Sequence, residues 1–188
     1  MRLKKKYFLF YKLLNSAFTG LSVGIIFTIY QPIEDNSIYS IGGIFLASAM
    51  LLIAKFYEKL LNIHKFFQIS IAVELIILIT LLVFMTLQYT LTSALLVYIG
   101  YQITFIFGGY LVRAETLVAK EKVFLSKIDV NKQLGYLIGL AGSYIFYKSL
   151  DYGFNILDTK IQISILHYLL LSLQVTIILV LANSFSRK

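Results

Sequence analysis

The chain has 188 residues, of which 59% are hydrophobic, 15% aromatic and only 14% charged, and its formal net charge is +8. Soluble domains carry about 45–50% apolar and about 25% charged residues, so a soluble fold of this size could not bury the excess apolar surface. These figures exclude a soluble enzyme, a nucleic-acid-binding domain and a disordered chain, and they predict an integral membrane protein. Because the chain has no cysteine, disulfides, thiolate metal sites and cysteine nucleophiles are excluded as well.

Apolar stretches of membrane-spanning length recur along the chain. A bilayer core about 30 Å thick requires roughly 20 apolar residues in helical form. Taken in order, the stretches predict six transmembrane helices at about residues 8–30, 38–56, 66–87, 90–112, 133–147 and 161–183. The fifth is short because Lys132 and Lys148 bracket its uncharged centre, and both would extend toward the membrane surfaces. The expected fold is therefore all-α, a single membrane domain formed by a bundle of six transmembrane helices.

Lysine and arginine are distributed unequally over the two predicted sides of the membrane. With the N-terminus inside, 15 of the 17 basic residues are cytoplasmic and only Lys148 and Lys160 are outside. This positive-inside bias places both termini in the cytoplasm and accounts for the net charge without a nucleic-acid partner. The excess of lysine over arginine, 14 to 3, is typical of an AT-rich bacterial genome, so we expect a multi-pass protein of the bacterial cytoplasmic (inner) membrane.

The longest predicted connection, between the fourth and fifth spans, mixes apolar and basic residues. Leu117, Val118, Phe124 and Ile128 alternate with lysines along it. That pattern predicts an amphipathic helix at about residues 114–130, lying on the inner membrane surface.

Catalytic and metal-binding patterns are missing from the sequence. The four aspartates are scattered over different connections, and His64 and His167 stand far apart, so neither a divalent-metal cluster nor a zinc site is expected. Ser143 and His167 lack the turn that an intramembrane serine protease requires. We therefore expect a protein that is not an enzyme and has no cofactor or metal.

Polar side chains form one stripe on the first predicted span and another on the fourth. The stripe of the first span consists of Asn15, Thr19 and Ser22. On the fourth span, Tyr98, Gln102 and Arg113 share one face with Phe105 and Gly109. Steps of three and four residues keep each set on one helix face, and polar groups facing lipid are costly. These residues are therefore predicted to face the bundle interior or a substrate cavity, although Arg113 could instead extend to the inner membrane surface.

Glu74 is the only acidic residue inside any predicted span. A carboxylate at that depth is costly unless it is paired or protonated. It could pair with Arg113, or it could be a neutral acid that is hydrogen-bonded to a neighbour. As a function, a buried carboxyl suits proton coupling, because binding a proton removes the cost of moving the charge. His167 and Gln174 lie on one face of the sixth span and are expected to form interhelical hydrogen bonds.

Small residues recur at four-residue spacing on three predicted spans. They are Ser16, Gly20 and Gly24 on the first, Gly43 and Ala47 on the second, and Gly135, Gly139 and Ser143 on the fifth. Four residues are roughly one helical turn, so each set lines a stripe along which another backbone can approach closely. The stripes could serve packing inside the bundle, or a contact with a partner that moves during a conformational cycle.

The segment Gly108-Gly109-Tyr110-Leu111-Val112-Arg113-Ala114-Glu115, followed by Lys120-Glu121-Lys122 and by Gly135-x-x-x-Gly139-x-x-Gly142, is similar to a passage of the major facilitator superfamily. Together with the layout of short outer and basic inner connections, it resembles one half of such a transporter. The resemblance implies two three-span inverted repeats in each six-span half. The chain departs from the family in having half its length, and in lacking the glycines and aspartate of the Gly-x-x-x-Asp-Arg-x-Gly-Arg motif between the second and third spans.

The resemblance implies a half-size secondary active transporter of a small solute that works by alternating access. Two copies inserted in the same direction would have the family's topology, so a parallel homodimer is the expected assembly. The first and fourth spans would line the shared cavity, and Gly43, Ala47, Gly135 and Gly139 would form the contact between copies. Two other functions stay open: a substrate-binding membrane subunit of an energy-coupling-factor vitamin transporter, and a non-transporting membrane scaffold subunit.

Overall fold

The computed structural model describes residues 1–186, and helices make up 84% of the chain. The helices of this part are α1 (Lys5–Ser22), α2 (Ile25–Ile29), α3 (Ser37–Lys55), α4 (Tyr57–Leu60), α5 (Ile63–Leu87), α6 (Leu91–Ala119), α7 (Lys122–Gly153) and α8 (Thr159–Asn183). Two short strands, β1 (Arg2–Leu3) and β2 (Phe185–Ser186), pair antiparallel and hold the two ends of the chain together. We call this end of the bundle the terminal end.

Four helices, α3, α5, α6 and α8, are long and apolar enough to cross a membrane. They contain 19, 25, 29 and 25 residues. At 1.5 Å per residue the shortest is about 28 Å long, close to the thickness of a bilayer core. The all-α fold is therefore confirmed, and these four helices, at the positions of the second, third, fourth and sixth predicted spans, are compatible with an integral membrane protein.

The helices at the first and fifth predicted spans differ from the expected ones. The first is divided, because α1 ends at Ser22 and α2 begins at Ile25. The fifth is not short: α7 has 32 residues and continues well beyond the uncharged centre at both ends. Both helices carry charged residues at the terminal end, Lys5 and Lys12 on α1 and Lys122 and Lys132 on α7.

The helix predicted at 114–130 is not a separate helix in the structure. The first part of this segment is the last part of α6, the chain turns at Lys120 with a positive φ of 60°, and the remainder begins α7. Ala114, Phe124 and Ile128 of this segment are buried in the bundle core, whereas Leu117 and Val123 are exposed. An amphipathic pattern gives the face of a helix that is buried but not what covers it, and here other helices of the same chain cover it.

The helices pack in the order α7, α1, α8, α5, α6 and α3, with each helix in contact with the next. A side chain added at Gly139 would place its Cβ 2.9 Å from the Cα of Gly20 and overlap the main-chain oxygen of Ala17. One added at Gly135 would lie 3.0 Å from the main-chain carbon of Leu13. The glycines of α1 and α7 thus allow the two backbones of one chain to touch.

This packing corrects the expectation that Gly135 and Gly139 contact a second copy, because α1 of the same chain already covers them. The corresponding residues of α3 are free of such contacts within residues 1–186: Gly43 has open space where a Cβ would be, and Ala47 is exposed. Helix α3 packs on α6 and has no buried residue of its own.

Candidate functional site: a buried polar cluster

Glu74 is the centre of a hydrogen-bonded cluster in which three helices meet. It lies on α5, on the face that also buries Ser70, Val73 and Leu81, and only 1% of it is exposed. Spacings of three, four and seven residues keep these side chains on one helix face, which is turned toward α1 and α8. Glu74 therefore points into the bundle because it shares the helix face of the core residues.

Within residues 1–186, every hydrogen bond to the Glu74 carboxyl comes from a neutral donor. Its Oε1 accepts from the Tyr11 hydroxyl at 2.7 Å and from Nδ2 of Asn15 at 2.8 Å, both on α1. Its Oε2 accepts from Nε2 of Gln174 on α8 at 2.9 Å, and the same nitrogen donates to the main-chain oxygen of Glu74 at 2.9 Å. Three donors to two oxygens match the acceptor-only chemistry of an ionised carboxyl.

A second buried carboxyl lies in an ionic cluster next to the first. Glu115 of α6 is 3% exposed and forms ion pairs with Lys12 of α1 and Lys132 of α7. Lys132 also lies 3.7 Å from Asp129, one turn earlier on α7. A buried carboxylate requires such compensation, because an unpaired charge in a medium of low dielectric constant is strongly unfavourable.

The two clusters adjoin through α1, which contributes Tyr11 to one and Lys12 to the other. Four charged side chains of the ionic cluster compensate one another, whereas Glu74 has only neutral hydrogen-bond partners. The ionic cluster thus joins α1, α6 and α7 toward the terminal end of the bundle. The Glu74 cluster joins α1, α5 and α8 beside it.

The sequence left two partners open for Glu74, an ion pair with Arg113 or a hydrogen bond to a neighbour. In the structure Glu74 forms hydrogen bonds to two neighbouring helices and no ion pair with Arg113. Arg113 is exposed, and its guanidinium carbon lies 5.8 Å from the centre of the Tyr57 ring. Gln174 forms the expected interhelical bonds, but His167 does not: its Nδ1 contacts the Ile163 oxygen of its own helix at 2.8 Å.

The six residues predicted to line a substrate cavity do not form one group. Asn15 belongs to the Glu74 cluster, while the hydroxyls of Thr19 and Ser22 donate to main-chain oxygens of their own helix, at 3.2 and 3.3 Å. Tyr98 is buried against α3 and donates to the main-chain oxygen of Tyr39 at 3.3 Å.

Gln102 and Arg113 complete the predicted set on α6. The Oε1 of Gln102 is buried and has no hydrogen-bond partner within residues 1–186. An unsatisfied buried acceptor is costly, and it is the kind of group that a ligand with an N–H or O–H donor could complete. Arg113, in contrast, lies at the surface beside α4.

Sequence reasoning missed Tyr11, Lys12, Glu115 and Lys132 as members of the site. A signal was present for Lys12, because it is a lone charge inside the first predicted span, just as Glu74 is in the third. Each therefore required a partner on another helix. Glu115 carried no such signal, because it fell in the segment predicted to lie on the membrane surface.

The arrangement provides a carboxyl that is shielded from solvent and held by groups that can change their hydrogen-bonding role. Within residues 1–186, no group of three or more His, Asp or Glu side chains is arranged to hold a metal ion. No family model matches the chain, and comparison with curated proteins and with solved structures gave no match. The chemistry of the site therefore has to be argued from its own residues.

Proposed function

We propose that the protein is a half-size secondary active transporter of a small solute, working by alternating access as a parallel dimer, in which Glu74 carries a proton. The observation that carries this proposal is a buried carboxyl held only by neutral donors, Tyr11, Asn15 and Gln174. Hydroxyl and amide side chains can either donate or accept, so the same partners can serve the charged and the neutral carboxyl. Because a charge is costly to move inside a membrane, proton binding at Glu74 would permit helix movement that the charged form opposes.

The packing of the helices supports an arrangement as two repeats. Let the first repeat be α1, α3 and α5, and the second α6, α7 and α8, each in chain order. Helix α1 then corresponds to α6, α3 to α7, and α5 to α8. The contact of α1 with α7 corresponds to that of α6 with α3, and the contact of α1 with α8 to that of α6 with α5. The contact of α5 with α8 corresponds to itself. The five most extensive helix contacts are thus preserved. Repeats of three spans have opposite directions in the membrane, as in inverted-repeat transporters.

The pairing of β1 with β2 supports an even number of membrane crossings, because it puts both ends of the chain on one side. With the positive-inside bias, that side is the cytoplasm. Reporter fusions after Lys127 should therefore report the cytoplasm, and fusions near Asp35 and Asp158 the outside. A reporter after Lys127 that lies outside would overturn the six-span topology. The expected cytoplasmic position of Lys188 concerns a residue outside the part that the structure describes.

For the dimer, we propose a contact through α3, since its small residues Gly43 and Ala47 have no neighbour that fills the space beside them. Purification in a mild detergent should give a homodimer, and the Gly43→Leu variant should weaken it. The matched control is Gly24→Leu, at a glycine on the first span that is also open within residues 1–186. A monomeric wild type, or a Gly43→Leu variant that remains a dimer, would contradict the contact.

The direct test of coupling uses proteoliposomes with an imposed pH gradient and a pH-sensitive dye inside. A panel of small solutes is added, and a substrate is recognised by the proton flux that it starts. The Glu74→Gln variant should lose this flux and its dependence on the gradient while it retains exchange of the same solute. Glu58→Gln, at an exposed position on α4, serves as the control and should behave as the wild type. Unaltered gradient-driven flux in Glu74→Gln would leave Glu74 as a packing residue.

A further inference from the structure

An open cavity of about 400 Å³ lies at the end of the bundle opposite the terminal end. It is lined by Ile26, Phe27, Tyr30, Gln31, Ile33 and Tyr39. The cavity is formed where α2, the connection at 31–36 and the beginning of α3 meet. Its volume falls within the range of roughly 300–1,000 Å³ that is usual for small-molecule sites, and its wall is mostly apolar with a few polar groups, as such sites are.

Tyr30 and Tyr39 of the cavity wall pack against each other and against the buried ring of Tyr98, so that three predicted spans meet there. The ring centres of Tyr30 and Tyr39 lie 6.3 Å apart, and that of Tyr98 lies 5.7 Å from the first and 5.4 Å from the second. Tyr98 stands nearly perpendicular to both, at 84° and 88°. Edge-to-face packing of this kind fixes the orientation of the rings, and the face of each ring carries partial negative charge.

The charged residues that lie closest in sequence to the residues of the cavity wall are both acidic. Residues 13–54 contain no lysine, arginine or histidine, and their only charged side chains are Glu34 and Asp35. Both are exposed and belong to the connection that also supplies Gln31 and Ile33 to the cavity wall. Hydrogen bonds from the Ser37 hydroxyl and main-chain N–H hold the pKa of Asp35 below its ordinary value, so that it is ionised at neutral pH.

Aromatic rings in the cavity wall, together with two carboxylates in the connection beside it, favour positive charge. A cation within about 6 Å of a ring centre is attracted by the ring quadrupole, and the attraction is largest for cations that lose their water easily, such as quaternary ammonium groups. The two carboxylates add a long-range attraction that acts over about 8–10 Å at ordinary ionic strength. An anion would be repelled by both features.

We infer that this cavity binds a small organic monocation, of the quaternary or protonated tertiary ammonium class. The inference names a substrate class for the proposed transporter and rests on that proposal. The ordinary alternative is that the tyrosines only form an aromatic belt at the membrane surface. A belt requires rings at the depth of the lipid head groups, but it gives no saturable binding of a cation.

The test is equilibrium dialysis of the purified full-length protein in detergent with radiolabelled tetraethylammonium. We expect saturable binding that choline displaces and that 3,3-dimethylbutan-1-ol, its uncharged isostere, does not. Tyr39→Leu should weaken binding about tenfold, while Tyr39→Phe, which keeps the ring, should bind as the wild type. Neither change removes the hydrogen bond from the Tyr98 hydroxyl, because its acceptor is the main-chain oxygen of Tyr39. Tyr168→Leu, at a tyrosine that is 65% exposed on α8, is the matched control and should have no effect.

A second variant tests the two carboxylates independently of the rings. Replacing both Glu34→Gln and Asp35→Asn should weaken tetraethylammonium binding about threefold at low salt and reduce its salt dependence. No saturable binding by the wild type, equal displacement by the neutral isostere, or unchanged binding in Tyr39→Leu would each overturn the inference. If the cation does not bind but another solute starts a proton flux that depends on Glu74, the inference about the cavity fails and the proposed transport function stands. Failure of the inference and failure of the proposed function are therefore distinguishable.

Discussion

Because the backbones of α1 and α7 are in contact at Gly139, we expect that a side chain at this position destabilises the protein. In the Gly139→Ala variant the new methyl group would overlap the main-chain oxygen of Ala17 and lie 2.9 Å from the Cα of Gly20. Both neighbours are backbone atoms, so no side-chain rotation relieves the clash and the two helices must separate. Overpacking of this kind costs about 1–3 kcal/mol, and a clash with backbone belongs at the upper end. We expect the free energy of unfolding to fall by about 3 kcal/mol, or roughly 6–12 °C in Tm for a chain of this size.

The assay is thermal unfolding in detergent, followed by circular dichroism and by the fraction of protein that remains soluble and undegraded. The matched control is Gly108→Ala, the same substitution at a glycine of α6 with open space around it. It should leave Tm unchanged or raise it slightly, because alanine favours the helix over glycine. Equal Tm values for Gly139→Ala and Gly108→Ala would show that α1 and α7 are not in backbone contact, and would contradict the packing order.

Three further predictions concern the clusters and the turn before α7. Glu115→Ala removes the buried carboxylate that pairs with Lys12 and Lys132, and leaves the largely buried Lys12 without its ion-pair partner. It should lower the free energy of unfolding by about 3 kcal/mol in a denaturation assay, whereas Lys5→Ala, which removes an exposed ion pair, should change it by less than about 1 kcal/mol. Similar losses for the two variants would contradict the burial of the ionic cluster. Tyr11→Phe should cost about 1–3 kcal/mol through the lost bond to the buried carboxyl, and Tyr144→Phe, at an exposed tyrosine, nothing measurable. Lys120→Gly should raise Tm by an amount equivalent to about 1 kcal/mol, because glycine adopts a positive φ without strain, and a lower Tm would refute that reason.

Composition and hydropathy were sufficient to predict the all-α class, because they depend on what a bilayer requires of any helix. The boundaries near residues 114–130 could not be predicted in the same way. An apolar stripe among lysines is equally suited to a membrane surface and to a neighbouring helix, and only the tertiary packing of Phe124 and Ile128 distinguishes the two. The break between Ser22 and Ile25 was not expected either, although Gly24 lies within it.

The central residue of the site was evident from the sequence, but its partners were not. The sequence identifies Glu74 as a candidate because an acidic residue inside a membrane span is costly whichever way its side chain points. Its partners Tyr11 and Gln174 lie 63 and 100 residues away in the chain, and many other polar side chains could have filled their role. The expected partner Arg113 was chosen by depth alone, and its position beside Tyr57 shows that depth does not determine direction around a helix.

Alternating access can be measured without knowledge of the substrate, because the chain has no cysteine and an introduced one is unique. The Thr19→Cys variant places a thiol at an exposed position in the last turns of α1, at the middle of the first predicted span. A membrane-impermeant maleimide is applied to right-side-out and inside-out vesicles. Phe27→Cys, 79% exposed near the opposite end, is the control and should react from outside alone. If access alternates, the thiol of Thr19→Cys reacts with the maleimide from both sides of the membrane, and pH changes the ratio of the reaction rates from the two sides. Adding Glu74→Gln should remove this pH dependence. Reaction from one side only, at every pH, would contradict alternating access.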